Sequence, residues 1–165
     1  MRVPNIFVIV LVGSLTSGTC AAQVSDPPAR RALSFLVSYQ PKVDWNPATV
    51  LKADFDHDGK DDFAFSGMQD GQFIIGIIHN SPRGNPKYWV LRFSVVSPSR
   101  RINQICSLNA KIETRSPVFV GNKKRMWQIP KNSRGIYLDD GCNPIDISWD
   151  QDKREFDMLR IHIML

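Results

Sequence analysis

Along most of the chain apolar and polar residues alternate with a period of two, and stretches with the 3.6-residue helical period are scarce, which predicts a mainly β protein. Leu33, Phe35, Val37 and Tyr39 alternate with polar or small neighbours and read as a strand, with a short helix as the alternative, and Pro41 ends the element. Asp44-Trp45-Asn46-Pro47 reads as a turn before a strand from Thr49 to Ala53. Asp62 to Ser66 sets Phe63 and Phe65 against small residues, and Gly67 to Gly71 supplies turn chemistry. The run Gln72 to His79, with Ile74, Ile75, Ile77 and Ile78, is apolar on both faces, as a buried central strand requires. Two prolines and a glycine between Ser81 and Pro86 separate it from a further strand, Tyr88 to Val96. Strands are also expected at Ile102 to Thr114, at Pro117 to Val120 and, after a hairpin turn at Gly121 to Lys124, at Arg125 to Ile129. Near the end, Ile145, Ile147 and Trp149 alternate, Asp150 to Lys153 turns, and Phe156 to Ile163 returns as a hairpin.

One stretch interrupts this pattern with charge that folding alone does not favour. Asp54-Phe55-Asp56-His57-Asp58-Gly59-Lys60-Asp61-Asp62 places five carboxylates within nine residues. Asp54, Asp56 and Asp58 alternate, and Gly59 follows where a cation loop needs a residue free to take positive φ. Carboxylates at positions one, three, five and nine (Asp54, Asp56, Asp58 and Asp62), plus the carbonyl of Lys60 at position seven, nearly fill the shell of roughly 6 to 8 oxygens that Ca2+ takes. Asp/Gly-rich segments also form ordinary solvated turns; the strict alternation ending in Gly sets this one apart. Position twelve of an EF-hand is a bidentate Glu between helices, whereas here it is Phe65 and both flanks read as strands. The expected site is therefore a Ca2+ loop between two strands. A second acidic turn, Asp139-Asp140-Gly141-Cys142-Asn143-Pro144, is a weaker metal candidate because its carboxylates are adjacent.

The run LKADFDHDGKDDFAFSG, Leu51 to Gly67, resembles one FG-GAP repeat, the calcium loop found between strands in integrin-type propellers and in many small bacterial envelope proteins. By that resemblance Asp54, Asp56, Asp58 and Asp62 are side-chain ligands and Lys60 a carbonyl ligand. The closing hairpin, ISWDQDKREFDMLRI, is loosely similar to the last hairpin of small envelope proteins with a single such loop. Among these are the invertebrate-type lysozyme inhibitors and related periplasmic immunity proteins against peptidoglycan-degrading toxins. The resemblance implies compact antiparallel sheets, propeller-like or sandwich-like. It also implies a protein partner, a lysozyme-like hydrolase or toxin. No convincing second copy of the acidic loop occurs, so a multi-repeat propeller is not expected.

The start of the chain bears on location. Arg2 precedes an apolar run from Ile6 to Val12, then small and polar residues up to Cys20-Ala21-Ala22, the pattern of a cleaved secretory signal too short to span a bilayer. The expected division is a signal peptide at 1–22, a flexible arm at 23–32 around Pro27-Pro28, and a single β domain at 33–165 in the periplasm. A lipid anchor at Cys20 is the alternative, but Thr19 fits a lipobox poorly. No later stretch reaches the roughly 20 apolar residues of a transmembrane helix. The remaining part, of roughly 143 residues, is the size of one domain with a core. Cys106 and Cys142 would pair in an oxidising compartment, closing a loop of about 35 residues.

The net charge of +5 includes clusters at Arg100-Arg101 and Lys123-Lys124-Arg125. These lack the interleaved stacking aromatics of a nucleic-acid surface, so no nucleic-acid partner is expected. No GxSxG, HExxH, glycine-rich phosphate loop or SxxK occurs, and His57, His79 and His162 are far apart in sequence. Glu113 and Asp146 are the one carboxylate pair considered for glycoside hydrolysis, a question that geometry decides. The sequence therefore reads as a non-enzymatic, calcium-stabilised binding module, with a metal- or carboxylate-dependent envelope hydrolase and a structural or adhesive surface protein as rivals. The expected partner-binding residues, on two loops carrying Arg and aromatic hot-spot chemistry, are Arg83, Tyr88, Trp89, Lys123, Arg125 and Trp127.

Overall fold

A computed structural model describes residues 24–79, 86–96, 101–116 and 133–160. Among the described residues, nine strands and one helix run in the order α1 (Pro27–Tyr39), β1 (Asp44–Ala53), β2 (Asp62–Gln69), β3 (Gln72–Ile78), β4 (Tyr88–Val95), β5 (Gln104–Ile105), β6 (Lys111–Arg115), β7 (Gly135–Asp139), β8 (Ile145–Asp150) and β9 (Glu155–Arg160). They form a five-stranded sheet in the order β1-β2-β3-β4-β5 and a four-stranded sheet in the order β6-β7-β8-β9. All pairs are antiparallel except the short β4–β5 pair. The expected mainly β class holds, as two packed sheets rather than a closed barrel.

Burial follows the period of two. In β3, Phe73, Ile75 and Ile77 point to one face and pack with Ile136, Leu138, Ile145, Ile147 and Phe156 of the second sheet. On the other face Ile74 and Ile78, with Phe63 and Phe65 of β2, pack against Ala29, Ala32 and Leu36 of α1 and against Trp45. The first sheet is thus a middle layer, covered by the second sheet on one side and by the helix on the other. This double cover explains why β3 has no polar face.

The helix corrects two sequence expectations. Residues 27–32, expected as a flexible arm, form its first turns, and Leu33 to Tyr39, read as a strand with a helix as alternative, completes it. Proline is tolerated at the first helical positions, so Pro27-Pro28 starts the helix rather than breaking structure. Ala29, Ala32 and Leu36 recur at helical spacing and are buried, while Val37 and Tyr39 are about half exposed. The folded domain therefore begins before residue 33. The expected signal peptide and Cys20 lie outside the described residues.

Other elements shift in ways that have local causes. Asp44 to Pro47, expected as a turn, belongs to β1, but the ladder slips between Asn46 and Leu51. There the Asn46 side chain accepts the N–H of Ala48 at 3.0 Å, and the Thr49 hydroxyl donates to the Asn46 carbonyl at 2.8 Å. Turn chemistry is present, as a bulge inside a strand. The single strand expected over Ile102 to Thr114 is divided into β5 and β6 by the loop that carries Cys106. The strands expected at Pro117 to Val120 and Arg125 to Ile129, and the turn between them, lie outside the described residues.

Cys106 and Cys142 are joined, with Cα atoms 6.2 Å apart. Asp140 ties the same two loops: one carboxylate oxygen accepts the N–H groups of Cys142 and Asn143, the other that of Cys106 at 3.0 Å. The second acidic turn thus directs its buried carboxylate to backbone donors.

Two outcomes follow from this packing. A Cβ on Gly76 would lie 2.6 Å from the Trp45 ring and within 2.9 Å of both Leu36 methyls. Gly76→Ala is therefore expected to destabilise by about 1–3 kcal/mol in denaturant titrations, by forcing the helix off the sheet. Replacing both Cys106 and Cys142 by Ser is expected to cost about 3–4 kcal/mol in the same measurement, the loop-closure value for this span.

Candidate metal centre

The acidic loop joins β1 to β2, and its backbone is shaped by its own carboxylates. Asp54, 3% exposed, accepts the N–H of Asp58 on one oxygen, and the N–H of Gly59 and the Ser133 hydroxyl on the other, all at 3.1 Å. Asp62, 1% exposed, accepts the N–H groups of Phe55 and Asp56 on Oδ2 at 3.0 and 3.2 Å. Asp56 accepts the N–H of Asp58, and Asp58 that of Lys60. Phe55, fully buried between the sheets, anchors the loop from within, and Gly59 takes φ +86° where it turns. A short parallel bridge from Asp54 to Ser133, with Arg134 N–H donating to the Asp54 carbonyl at 2.9 Å, fastens the loop to the chain entering β7.

This arrangement brings the expected ligands together. Oxygens of Asp54, Asp56 and Asp58 all lie within 4.8 Å of one another, and so do atoms of Asp56, Asp62 and His79. Each of the four aspartates expected as ligands therefore belongs to at least one donor set. Lys60 enters through its ammonium, 3.3 Å from Asp58 Oδ2. Asp61 points outward and pairs with Lys52 at 3.4 Å.

His79 is the residue that sequence reasoning missed, because it lies 17 positions beyond Asp62 in the chain. Its position follows from the ladder: Phe63 pairs with Ile78, so one step further His79 stands beside Asp62. Its Nδ1 is 3.0 Å from Asp56 Oδ2 and 3.2 Å from Asp62 Oδ1, and its Nε2 is 3.6 Å from Asp58 Oδ2. Only the register of β2 on β3 connects the histidine with the loop.

The carboxylates of the loop act on one another and on the nearby histidines. Burial pushes the Asp56 carboxyl above its ordinary range; His79 pulls it down, and the neighbouring Asp58 and Asp54 raise it again. Burial lowers the His57 imidazole, against the pull of Asp54 and Asp56. The residues fit a divalent cation: hard carboxylate oxygens held by N–H groups, converging from one loop.

Beside the loop, Asp56, Lys87, Tyr88, Trp89, Trp149 and Arg154 line a cavity of about 430 Å³. Tyr88, expected to meet a partner, packs on Phe35 and Tyr39 of α1. Trp89 stands edge-on to Trp149 and Phe156 with centroids 5.1 and 5.2 Å away, so its ring also closes the core. Arg83, Lys123, Arg125 and Trp127 lie outside the described residues. The carboxylate pair considered for hydrolysis is separated: Glu113 pairs with Tyr137 and Tyr137 with Asp146, setting the acids two strands apart. Asp146 is buried and faces Arg115 at 3.9 Å, while Glu113 is exposed.

Among the described residues no helix is long and apolar enough to cross a membrane. Comparison of the chain with protein-family models, curated proteins and solved structures returned no match.

Burial of Asp56 makes the stability of the loop depend on pH. Folding disfavours the ionised form, so the stability associated with its proton is present at acid pH and is lost as pH rises through the raised value. In chelator, Asp56→Asn is therefore expected to melt higher than the parent at pH 7, with the difference closing as pH falls into the carboxylate range. Added Ca2+ is expected to reverse the order, because the parent then has the better ligand; melting curves under the four conditions check this.

Proposed function

We propose that the protein is an exported β module whose Asp54–Asp62 loop is held by a divalent cation, Ca2+ in the first place, and that it acts by docking on another protein. The observation that carries the metal half is the convergence of the Asp54, Asp56 and Asp58 carboxylates on one loop, with Asp54 nearly inaccessible to solvent. Buried like charges at this spacing are unfavourable until a cation neutralises them. The bound ion supplies charge neutralisation. The loop's N–H donors orient the carboxylates, and Ser133 ties the result to the second sheet.

The partner half rests on the FG-GAP-like loop and the closing hairpin, which resemble those of envelope proteins that inhibit peptidoglycan-degrading enzymes. Export is supported by the signal-like start and by the Cys106–Cys142 bond, which suits an oxidising compartment. The partner-facing side is assigned to the rim of the cavity beside the loop, where Lys87 and Arg154 are exposed next to half-buried Trp89 and Trp149. Aromatic and basic side chains together are the usual anchors of such contacts.

Calorimetry on chelator-treated protein is expected to show one heat of Ca2+ binding, absent in Asp56→Ala and Asp58→Ala. Saturation at a hundredfold excess over Kd should add about 2.7 kcal/mol of stability. A missing heat together with unchanged melting of both variants overturns the metal half. For the partner half, equimolar protein is expected to protect peptidoglycan from a lysozyme-type hydrolase, and Lys87→Glu to weaken that protection with melting unchanged. Undiminished lysis across a panel of such hydrolases overturns it, as does glycan turnover by this protein alone.

A further inference from the structure

His79 changes the chemistry of the centre, because an imidazole nitrogen is a poor ligand for Ca2+ and a good one for borderline transition ions. Its Nδ1 is shielded from solvent and makes no hydrogen bond among the described residues, although Asp56 Oδ2 and Asp62 Oδ1 stand 3.0 and 3.2 Å away. Those separations match two ligand atoms sharing an ion: donors about 2.1 Å from a common Zn2+, at angles between about 90° and 109°, stand roughly 3.0–3.4 Å from each other. On the far side of the ring Nε2 stands 3.6 Å from the Asp58 carboxylate, beyond hydrogen-bond distance. Asp62 is itself fixed, since its other oxygen accepts the N–H groups of Phe55 and Asp56.

Resting on the reading that this loop binds a cation, we propose that Asp56, Asp62 and His79 form a three-ligand site for a borderline divalent transition ion of the Zn2+ class. This donor set overlaps the carboxylate-only calcium set at Asp56. One carboxylate serves both sets, so the two ions compete. The centre is then a selector between metals, with Asp58 a ligand in the calcium state alone. Three protein ligands leave a coordination position open toward water or a ligand, and Asp56 also lines the aromatic cavity.

The probes are Zn2+ for affinity and Co2+ for its visible absorption, each titrated into chelator-treated protein by itself and in the presence of Ca2+. Co2+ is expected to give a ligand-field band that Zn2+ bleaches, and the apparent Zn2+ Kd should rise as Ca2+ is added. His79→Ala, and His79→Gln as the variant closer in size, should weaken Zn2+ by about tenfold or more and abolish the Co2+ band, while the Ca2+ Kd stays within about threefold. Circular dichroism of each variant confirms the fold, and His57→Ala should leave the Co2+ band in place. Calcium binding without any Co2+ band overturns this proposal and leaves the calcium reading standing. Zn2+ affinity unchanged in both His79 variants likewise overturns it. Failure of every ion to bind overturns the two readings together.

Discussion

The structure depends on what happens to two buried carboxylates. Asp54 and Asp62 sit at the ends of the loop between β1 and β2, nearly out of solvent, and each accepts two backbone N–H groups. Hydrogen bonds from amides to a carboxylate are stronger than neutral ones, which is why these charges can be buried. They cannot remove the repulsion among the carboxylates that remain. The loop is therefore well shaped and densely negative, and that combination, rather than the count of aspartates, is what makes it able to hold a cation.

The middle sheet provides the rigidity such a centre needs. Covered by α1 on one face and by the second sheet on the other, β2 and β3 hold Asp62 and His79 on neighbouring strands in fixed register. Close packing leaves little freedom at that end of the ladder: Gly76 has no room for a methyl group beneath Trp45 and Leu36. Ligands placed on packed strands are held more tightly than ligands on a loop. Here the loop supplies the carboxylates and the ladder brings the His79 imidazole beside them.

Much of this was legible in the sequence, for physical reasons that can be named. The continuous apolar run of β3 is the signal of a strand covered on both faces, the alternation of the last hairpin is a period-two signal, and the Asp-x-Asp-x-Asp-Gly spacing is local. The helix was obscured because Leu33, Phe35, Val37 and Tyr39 alternate like a strand although Val37 and Tyr39 are half exposed, and the informative residues are the small Ala29 and Ala32 with Leu36. β7 was missed because Gly135–Asp139 is short and runs directly into the acidic turn. No local pattern places His79 beside the acidic loop; pairing Asp62–Ser66 with Gln72–His79 across the Gly67–Gly71 turn is the signal that could have found it.

The contact between Asp54 and Ser133 spans 79 residues of sequence. During synthesis the first sheet's strands all emerge before that hydroxyl exists, so the loop leaves the ribosome with one of its acceptors unanswered. Long-range closures of this kind are slow relative to hairpin formation. The loop's full set of hydrogen bonds is therefore completed only when the chain entering β7 is in place.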